Sequence, residues 1–228
     1  MAFSNKNRLP TNAHAMKLHW SPRSPFVRKV MIVLHETGLV DRVECVRNVV
    51  GMNQPNEHVL IDNPLNKIPT MVLADGRVLF DSRVICEYLD GLHEGPRLIP
   101  EDGSAYFQAM TWQSLGDGFI DLLLLWRNWH IHRGLAYDNA DDPYLSTFSL
   151  KSQRTLCALE ALAPTLQDTD LNIGHIAIAC TLGHLDFRWE FLDWRKDSPQ
   201  LAAWYRDFSR RPSAIATLVR NDETIITR

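Results

Sequence analysis

The sequence predicts a small α/β domain followed by an all-helical one, and three observations carry that expectation. Residues 63–90, NPLNKIPTMVLADGRVLFDSRVICEYLD, place a proline-led strand, a hairpin turn and a capped helix end to end. After Ala105, strand signals give way to long helical patterns. Between the two, residues 93–104 contain Gly95-Pro96, Pro100 and Gly103, the composition of a linker.

In chain order, Lys17 to Trp20 reads as a short strand, and Phe26 to Thr37 as a helix with Gly38 in the C-terminal capping position. Val43 to Val50 alternates weakly as a second strand. Thr70 to Ala74 and Arg77 to Phe80 pair across Asp75-Gly76, a dipeptide that tight hairpins favour. Asp81-Ser82 caps a helix whose apolar face is Val84, Ile85, Tyr88 and Leu89. Two small polar side chains at a helix start make an anion site. The Ile68-Pro69 bond is expected to be cis, leaving the backbone of Ile68 free to pair with an extended peptide. In the helical half, Ile173, Ile176, Ala177, Cys180 and His184 mark a buried core helix, and Leu201, Trp204, Tyr205 and Phe208 a second amphipathic stripe. Six of the seven tryptophans lie there and read as core.

With 228 residues, 45% hydrophobic content and a formal net charge of -3, the chain is an ordinary globular protein with no basic surface to draw nucleic acid or anionic lipid. The apolar run from Phe119 to Trp126 is interrupted by Asp121 and falls short of the roughly 20 residues a membrane span needs. Residues 1–15 lack an apolar core and read as a polar tail rather than a secretory signal. Cys45, Cys86, Cys157 and Cys180 are too far apart for a metal site and fit reduced thiols in the cytoplasm. His130 and His132, two apart on a helix, point in different directions, so no metal is expected.

The block Asn63-Pro64, Lys67-Ile68-Pro69, Asp81-Ser82 resembles the glutathione-binding half of the cytosolic glutathione S-transferases. The resemblance extends to Met16–Trp20 followed by SPRSPFVRKV and to LNIGHIAIACTLGHLDFRW, so it spans nearly the whole chain. It implies a thioredoxin-like domain over 16–92, a linker over 93–104 and a helical domain over 105–228 that holds the electrophile pocket. It further implies a serine-type, bacterial-like enzyme that takes glutathione as co-substrate, works in detoxification and forms a homodimer.

Glutathione carries a thiol of pKa about 8.5, and lowering it by about two units requires roughly 2.7 kcal/mol of preference for the thiolate. One hydroxyl donor and a helix N-terminus can supply that. By the resemblance Ser24 is the donor, with Ser21 as rival because SPRSP repeats the Ser-Pro unit; on residues alone Ser24 is equally an N-cap followed by proline. No tyrosine precedes Tyr88, and Cys45, the one cysteine before the hairpin, reads as a small buried hydrophobe.

The resemblance gives Asp81 the γ-glutamyl ammonium, Ser82 its carboxylate, Lys67 the glycyl carboxylate and Ile68 beside Pro69 the cysteinyl backbone. Asn53 and Gln54 are weaker candidates for the glycyl carboxylate. Glycines 116 and 118 inside a helical run suggest close approach of a backbone or ligand, with Trp112, Gln113 and Phe119 as pocket walls.

The activity so implied is conjugation of the thiolate to a small hydrophobic electrophile. Isomerisation, ether cleavage and peroxide reduction share the glutathione site, and a non-catalytic binding module shares the fold. One departure from the family is His175, three residues after Asn172, where an acidic capping-box residue is usual. A depressed imidazole pKa is expected there, and His175→Asp is expected to stabilise the fold.

Overall fold

The computed structural model describes residues 16–221, so the expected polar tail 1–15 lies outside the described residues. Strand β1 (Met16–Trp20) leads through Ser24 into helix α1 (Pro25–Glu36), which ends at Thr37 with Gly38 at φ +68°, a conformation glycine adopts without steric cost. A short 3₁₀ turn (Val40–Arg42) delivers β2 (Val43–Arg47), which pairs parallel to β1. Helix α2 (Glu57–Leu60) precedes the hairpin of β3 (Thr70–Leu73) and β4 (Val78–Leu79), and α3 (Ser82–Asp90) follows it. The four strands lie in the order β2-β1-β3-β4, with β3 antiparallel to β1 and β4 antiparallel to β3.

Alternation along β1 buries Leu18 on one face and His19 on the other. Asn48 Nδ2 donates to His19 Nδ1 at 2.9 Å, which leaves His19 Nε2 to donate to Asp62 at 2.7 Å. Asn48 is therefore turned inward to His19, and β2 stops at Arg47 instead of continuing to Val50. At the hairpin, Asp75 Oδ1 accepts from the Arg77 amide at 3.0 Å and Gly76 takes φ +84°. Helix α3 rests on Ile85, Cys86 and Leu89; Val84 is 46% exposed, because it lies one position off the stripe those three define.

The segment after α3 is held firmly. Asp90 Oδ1 and Oδ2 accept from the Leu98 and Ile99 amides at 2.8 and 3.1 Å, and the Leu98 carbonyl accepts from the Ile173 amide at 2.8 Å. The remainder is helical: α4 (Gly103–Arg133), α5 (Pro143–Asp168), α6 (Ile173–Arg188), α7 (Pro199–Phe208) and α8 (Pro212–Ala216). Helix α6 is buried from Ile173 through Leu185 and is the core of this domain. It meets α4 at backbone distance: a Cβ on Gly116 would come within 2.7 Å of the Ala177 carbonyl carbon, and one on Gly174 within 2.5 Å of Trp112 Cβ. Gly116 thus serves helix packing, whereas Gly118 faces open space.

His175 departs from expectation in an instructive way. Its Nδ1 accepts from the Asn172 amide at 3.2 Å, completing the capping box, and its Nε2 donates to the Leu166 carbonyl of α5 at 3.1 Å. Burial holds its pKa below the ordinary value, against the pull of the Leu166 hydrogen bond. An aspartate would reproduce the first contact, lose the second and bring a carboxylate into a site 3% exposed. The stabilising effect read from sequence is therefore reversed: His175→Asp is expected to lower stability by about 1–3 kcal/mol in urea denaturation at pH 7.

The other buried imidazole of α6, His184, has neither ring nitrogen hydrogen-bonded among the described residues, and burial, with Arg188 and Arg127 nearby, pushes its pKa down to about 4. It folds neutral, so its contribution is full above the unfolded value of about 6.5 and is lost as pH falls toward the folded one. His184→Met should remove about 2 kcal/mol of the stability lost between pH 7 and pH 5, measured as the difference in denaturation midpoints at the two pH values.

Candidate functional site

Three chain segments meet at one edge of the sheet. In the β1–β3 register His19 faces Thr70, and in β3–β4 Met71 faces Leu79. Continuing each by one residue sets Trp20 beside Pro69, and Phe80 beside Thr70. The N-termini of α1 and α3 therefore flank the Ile68-Pro69 bond, which is cis. The loop that delivers this bond is pinned from within: Asn63, fully buried, donates to Thr70 Oγ1 at 2.8 Å and accepts from the Leu65 amide at 2.9 Å. Thr70 Oγ1 in turn donates to the Lys67 carbonyl at 2.8 Å.

Ser24 is the N-cap of α1. Its Oγ accepts from the Val27 amide at 3.2 Å, and among the described residues its hydroxyl donates to no neighbour. The O–H is thus available to a ligand at the helix end, where the backbone dipole favours negative charge. Ser21 is 4% exposed and has its own partners, so the two serines are not equivalent. Asp81 caps α3 by accepting from the Arg83 amide at 2.9 Å and remains exposed, while Ser82 is 2% exposed. Lys67 is exposed, and Asn53 and Gln54 sit on an exposed loop closed by a Gly51–Gln54 bridge.

Beneath this edge lies a buried ion cluster that spans the two domains. Lys29 of α1 donates to both carboxylate oxygens of Asp117 on α4, at 2.8 and 2.7 Å, and Arg83 Nε of α3 donates to Asp117 Oδ2 at 3.1 Å. Lys29 and Asp117 are 1% and 3% exposed, so water screens the pair little. One turn further on, burial raises the pKa of the Asp121 carboxyl, Asp117 and Asp81 add to the rise, and Lys67 and Arg83 oppose it. Sequence reasoning missed Lys29 and Arg83; the available signal was a lysine in the middle of the apolar run VRKVMIVL.

Trp112, Gln113 and Phe119 are 5%, 1% and 2% exposed. Trp112 packs edge-on against His175, so the Trp112 and Phe119 side of α4 faces the core, while Gln113 lies one turn before Asp117, on the side that carries Asp117 toward the first domain. Cys45 is exposed rather than buried, because it lies on edge strand β2, with its Sγ 3.8 Å from Met31 Sδ. Burial pushes the Cys86 and Cys180 thiols up to about 12 and about 11, so neither is a nucleophile at neutral pH. His130 stacks on Tyr137 at 3.6 Å, and among the described residues no three metal-ligating side chains are grouped.

Residues 23–92 match the family model of the glutathione S-transferase N-terminal domain, and residues 153–207 that of the C-terminal domain. The chain is 33% identical over 204 residues to the GST-like protein YibF of Escherichia coli K12, covering 89% of this chain and 98% of that one. It superimposes with a TM-score of 0.82 on a glutathione transferase family member from Pseudomonas fluorescens Pf-5 solved with bound glutathione, at 41% identity over 90% of this chain and 100% of that one. A glutathione S-transferase from Methylobacillus flagellatus KT, also with glutathione bound, gives 0.76 at 31% identity and the same coverage.

Removing the Asp117 charge should leave Lys29 buried and uncompensated. Asp117→Asn is expected to cost about 3–5 kcal/mol in equilibrium denaturation, and adding Lys29→Met should recover most of the loss.

Proposed function

Because the chain belongs to the glutathione S-transferase family, we propose that it ionises the thiol of bound glutathione and transfers the thiolate to a small hydrophobic electrophile, with Ser24 as the donor to sulfur. The observation that carries this reading is the Ser24 hydroxyl, which donates to no neighbour among the described residues, at the N-terminus of α1 on the sheet edge shared with Pro69 and the start of α3. The Pseudomonas relative is also solved with S-(propanoic acid)-glutathione, a glutathione bearing carbon on sulfur, which supports a groove with room beyond the thiol.

In this reading glutathione lies extended across the edge. Ile68 pairs its backbone with the cysteinyl residue, Asp81 takes the γ-glutamyl ammonium, and Ser82 with the first amides of α3 takes the neighbouring carboxylate. Lys67 reaches the glycyl carboxylate, with Asn53 and Gln54 at the outer end. The Ser24 hydroxyl donates to the sulfur and the α1 dipole adds a smaller favourable term, so the thiol proton leaves to solvent. The thiolate then forms an S–C bond to an electrophile entering between this edge and α4, and the displaced electron pair leaves with the leaving group or, in an addition, moves from the electrophile's π bond to an atom that water protonates. A serine at this position favours transfer, since a cysteine there would form mixed disulfides. We assign the activity to a cytoplasmic homodimer; the four free cysteines fit a reducing compartment, and Val84 and Phe107, 46% and 69% exposed, give a second copy apolar surface to cover. Isomerisation, ether cleavage and peroxide reduction would use the same thiolate, and a panel of electrophiles separates them from conjugation.

Ser24→Ala should raise the thiol pKa of bound glutathione by up to about two units and lower the conjugation rate by roughly 25-fold at pH 7, with glutathione affinity little changed. Ser21→Ala should do much less, and the reverse order would transfer the role to Ser21. Asp81→Ala and Ser82→Ala should instead weaken glutathione binding in calorimetry, since their contacts are made equally before and during reaction.

A further inference from the structure

Residues 51–67 hold the three side chains proposed for the glycyl end of glutathione, Asn53, Gln54 and Lys67, yet this segment has little apolar anchorage. Helix α2 within it is four residues long, and from 51 to 67 only Val59 and Asn63 are buried. A segment with so few buried apolar contacts opens easily unless polar ties hold it. It is braced internally: the Asn56 amide donates to Asn66 Oδ1 at 3.0 Å, Asn66 Nδ2 donates to the Asn56 carbonyl at 2.8 Å, and Asn63 Nδ2 donates to the Lys67 carbonyl at 3.2 Å. These bonds make the segment one body, but they do not fix where that body lies against the sheet.

Asp62 supplies that attachment. Its Oδ2 accepts from Lys17 Nζ at 2.8 Å and from His19 Nε2 at 2.7 Å, two side chains on the same face of β1. The His19 and Asp62 side chains are 2% and 16% exposed, so water screens their contact little. Asn48 fixes the tautomer: its Nδ2 donates to the Val46 carbonyl at 3.2 Å and to His19 Nδ1 at 2.9 Å, so the ring proton lies on Nε2 and points at Asp62. Burial alone would raise the Asp62 pKa, but the hydrogen bonds from Lys17 and His19 outweigh it and hold the carboxyl below its ordinary value.

The other end of the body joins β3 at Pro69 and Thr70, where pairing with β1 holds it, so Ile68 lies at a fixed junction and Lys67, Asn53 and Gln54 lie beyond it. We propose that Asp62 is a positioning residue for the glycyl end of glutathione: by tying the body to β1 at a second point, it sets Lys67, Asn53 and Gln54 at the distance from Ser24 that the tripeptide spans. The inference rests on the placement of glutathione proposed above. Without the tie the body pivots about its junction with β3, which disturbs the glycyl contacts and spares Ile68 and the γ-glutamyl site on α3.

Calorimetric titration of the full chain with S-methylglutathione and with γ-glutamyl-S-methylcysteine, which lacks the glycine, provides the test. Wild type should bind the tripeptide analogue more tightly by about tenfold. Asp62→Ala should erase most of that preference, weakening S-methylglutathione by about tenfold and the dipeptide by less than about twofold. A purely structural role would weaken both ligands alike. Should Asp62→Ala fail to fold, Lys17→Met decides: the Lys17 side chain is 37% exposed, so the change spares the fold while removing one of the two bonds to Asp62, and the preference should fall by about threefold. Equal losses for the two ligands would overturn the proposal and leave the placement of glutathione standing. So would the wild-type preference retained in Asp62→Ala, or in Lys17→Met where Asp62→Ala does not fold. Absence of any preference in wild type would overturn that placement and the proposal with it. All of these are equilibrium binding results, independent of whether Ser24 activates the thiol.

Discussion

The Asp117 carboxylate is the point on which the architecture turns. Lys29 reaches it from α1 and Arg83 from α3, while Asp117 itself belongs to α4, so one side chain ties the helical domain to both helices whose N-termini shape the site. Its worth lies in position rather than in net stability, because desolvating two charges offsets much of their attraction. With Lys29 and Asp117 both nearly inaccessible, the three helices have one satisfactory arrangement, and any slip of α4 along α1 strands a buried charge. Geometry at the sheet edge inherits that rigidity. The same α4 meets α6 through Gly116 and Gly174, so the cluster stands on a rigid helical core.

On this base, in the proposed reading, the edge of the sheet would separate binding from activation. The hairpin brings Pro69 beside the end of β1, and the Asn63–Thr70–Lys67 hydrogen bonds hold the approach loop. The two helix N-termini then present different chemistry: a hydroxyl that donates to no neighbour among the described residues at Ser24, and an exposed carboxylate followed by a small hydroxyl at Asp81-Ser82. In the proposed reading this pair of helix ends takes the two parts of glutathione that need holding, its thiol and its γ-glutamyl zwitterion. The relatives crystallised with glutathione share the fold over their whole length.

Local features were legible in the sequence, and long-range pairings were not. The Asp75-Gly76 hairpin, the Asp81 cap, the cis proline and the buried run of α6 all follow from residues within a few positions of one another. Lys29 and Asp117 are 88 residues apart, and a lysine in an apolar run does not announce its partner. His175 could be read as a capping residue from Asn172, yet its second hydrogen bond goes to Leu166 on another helix, which reverses the expected effect of an aspartate. The truncation of β2 at Arg47 has the same origin, since Asn48 turns to a histidine 29 residues earlier. Trp112 and Phe119 turn to the core side of α4, and which side that is depends on where α6 lies, far along the chain.

The most direct measurement is a crystal structure of the chain with glutathione bound. The account predicts sulfur within hydrogen-bonding distance of Ser24 Oγ, the cysteinyl backbone paired with Ile68, and the γ-glutamyl end at Asp81 and Ser82. Sulfur placed at Ser21, or a tripeptide lying away from Pro69, would contradict it.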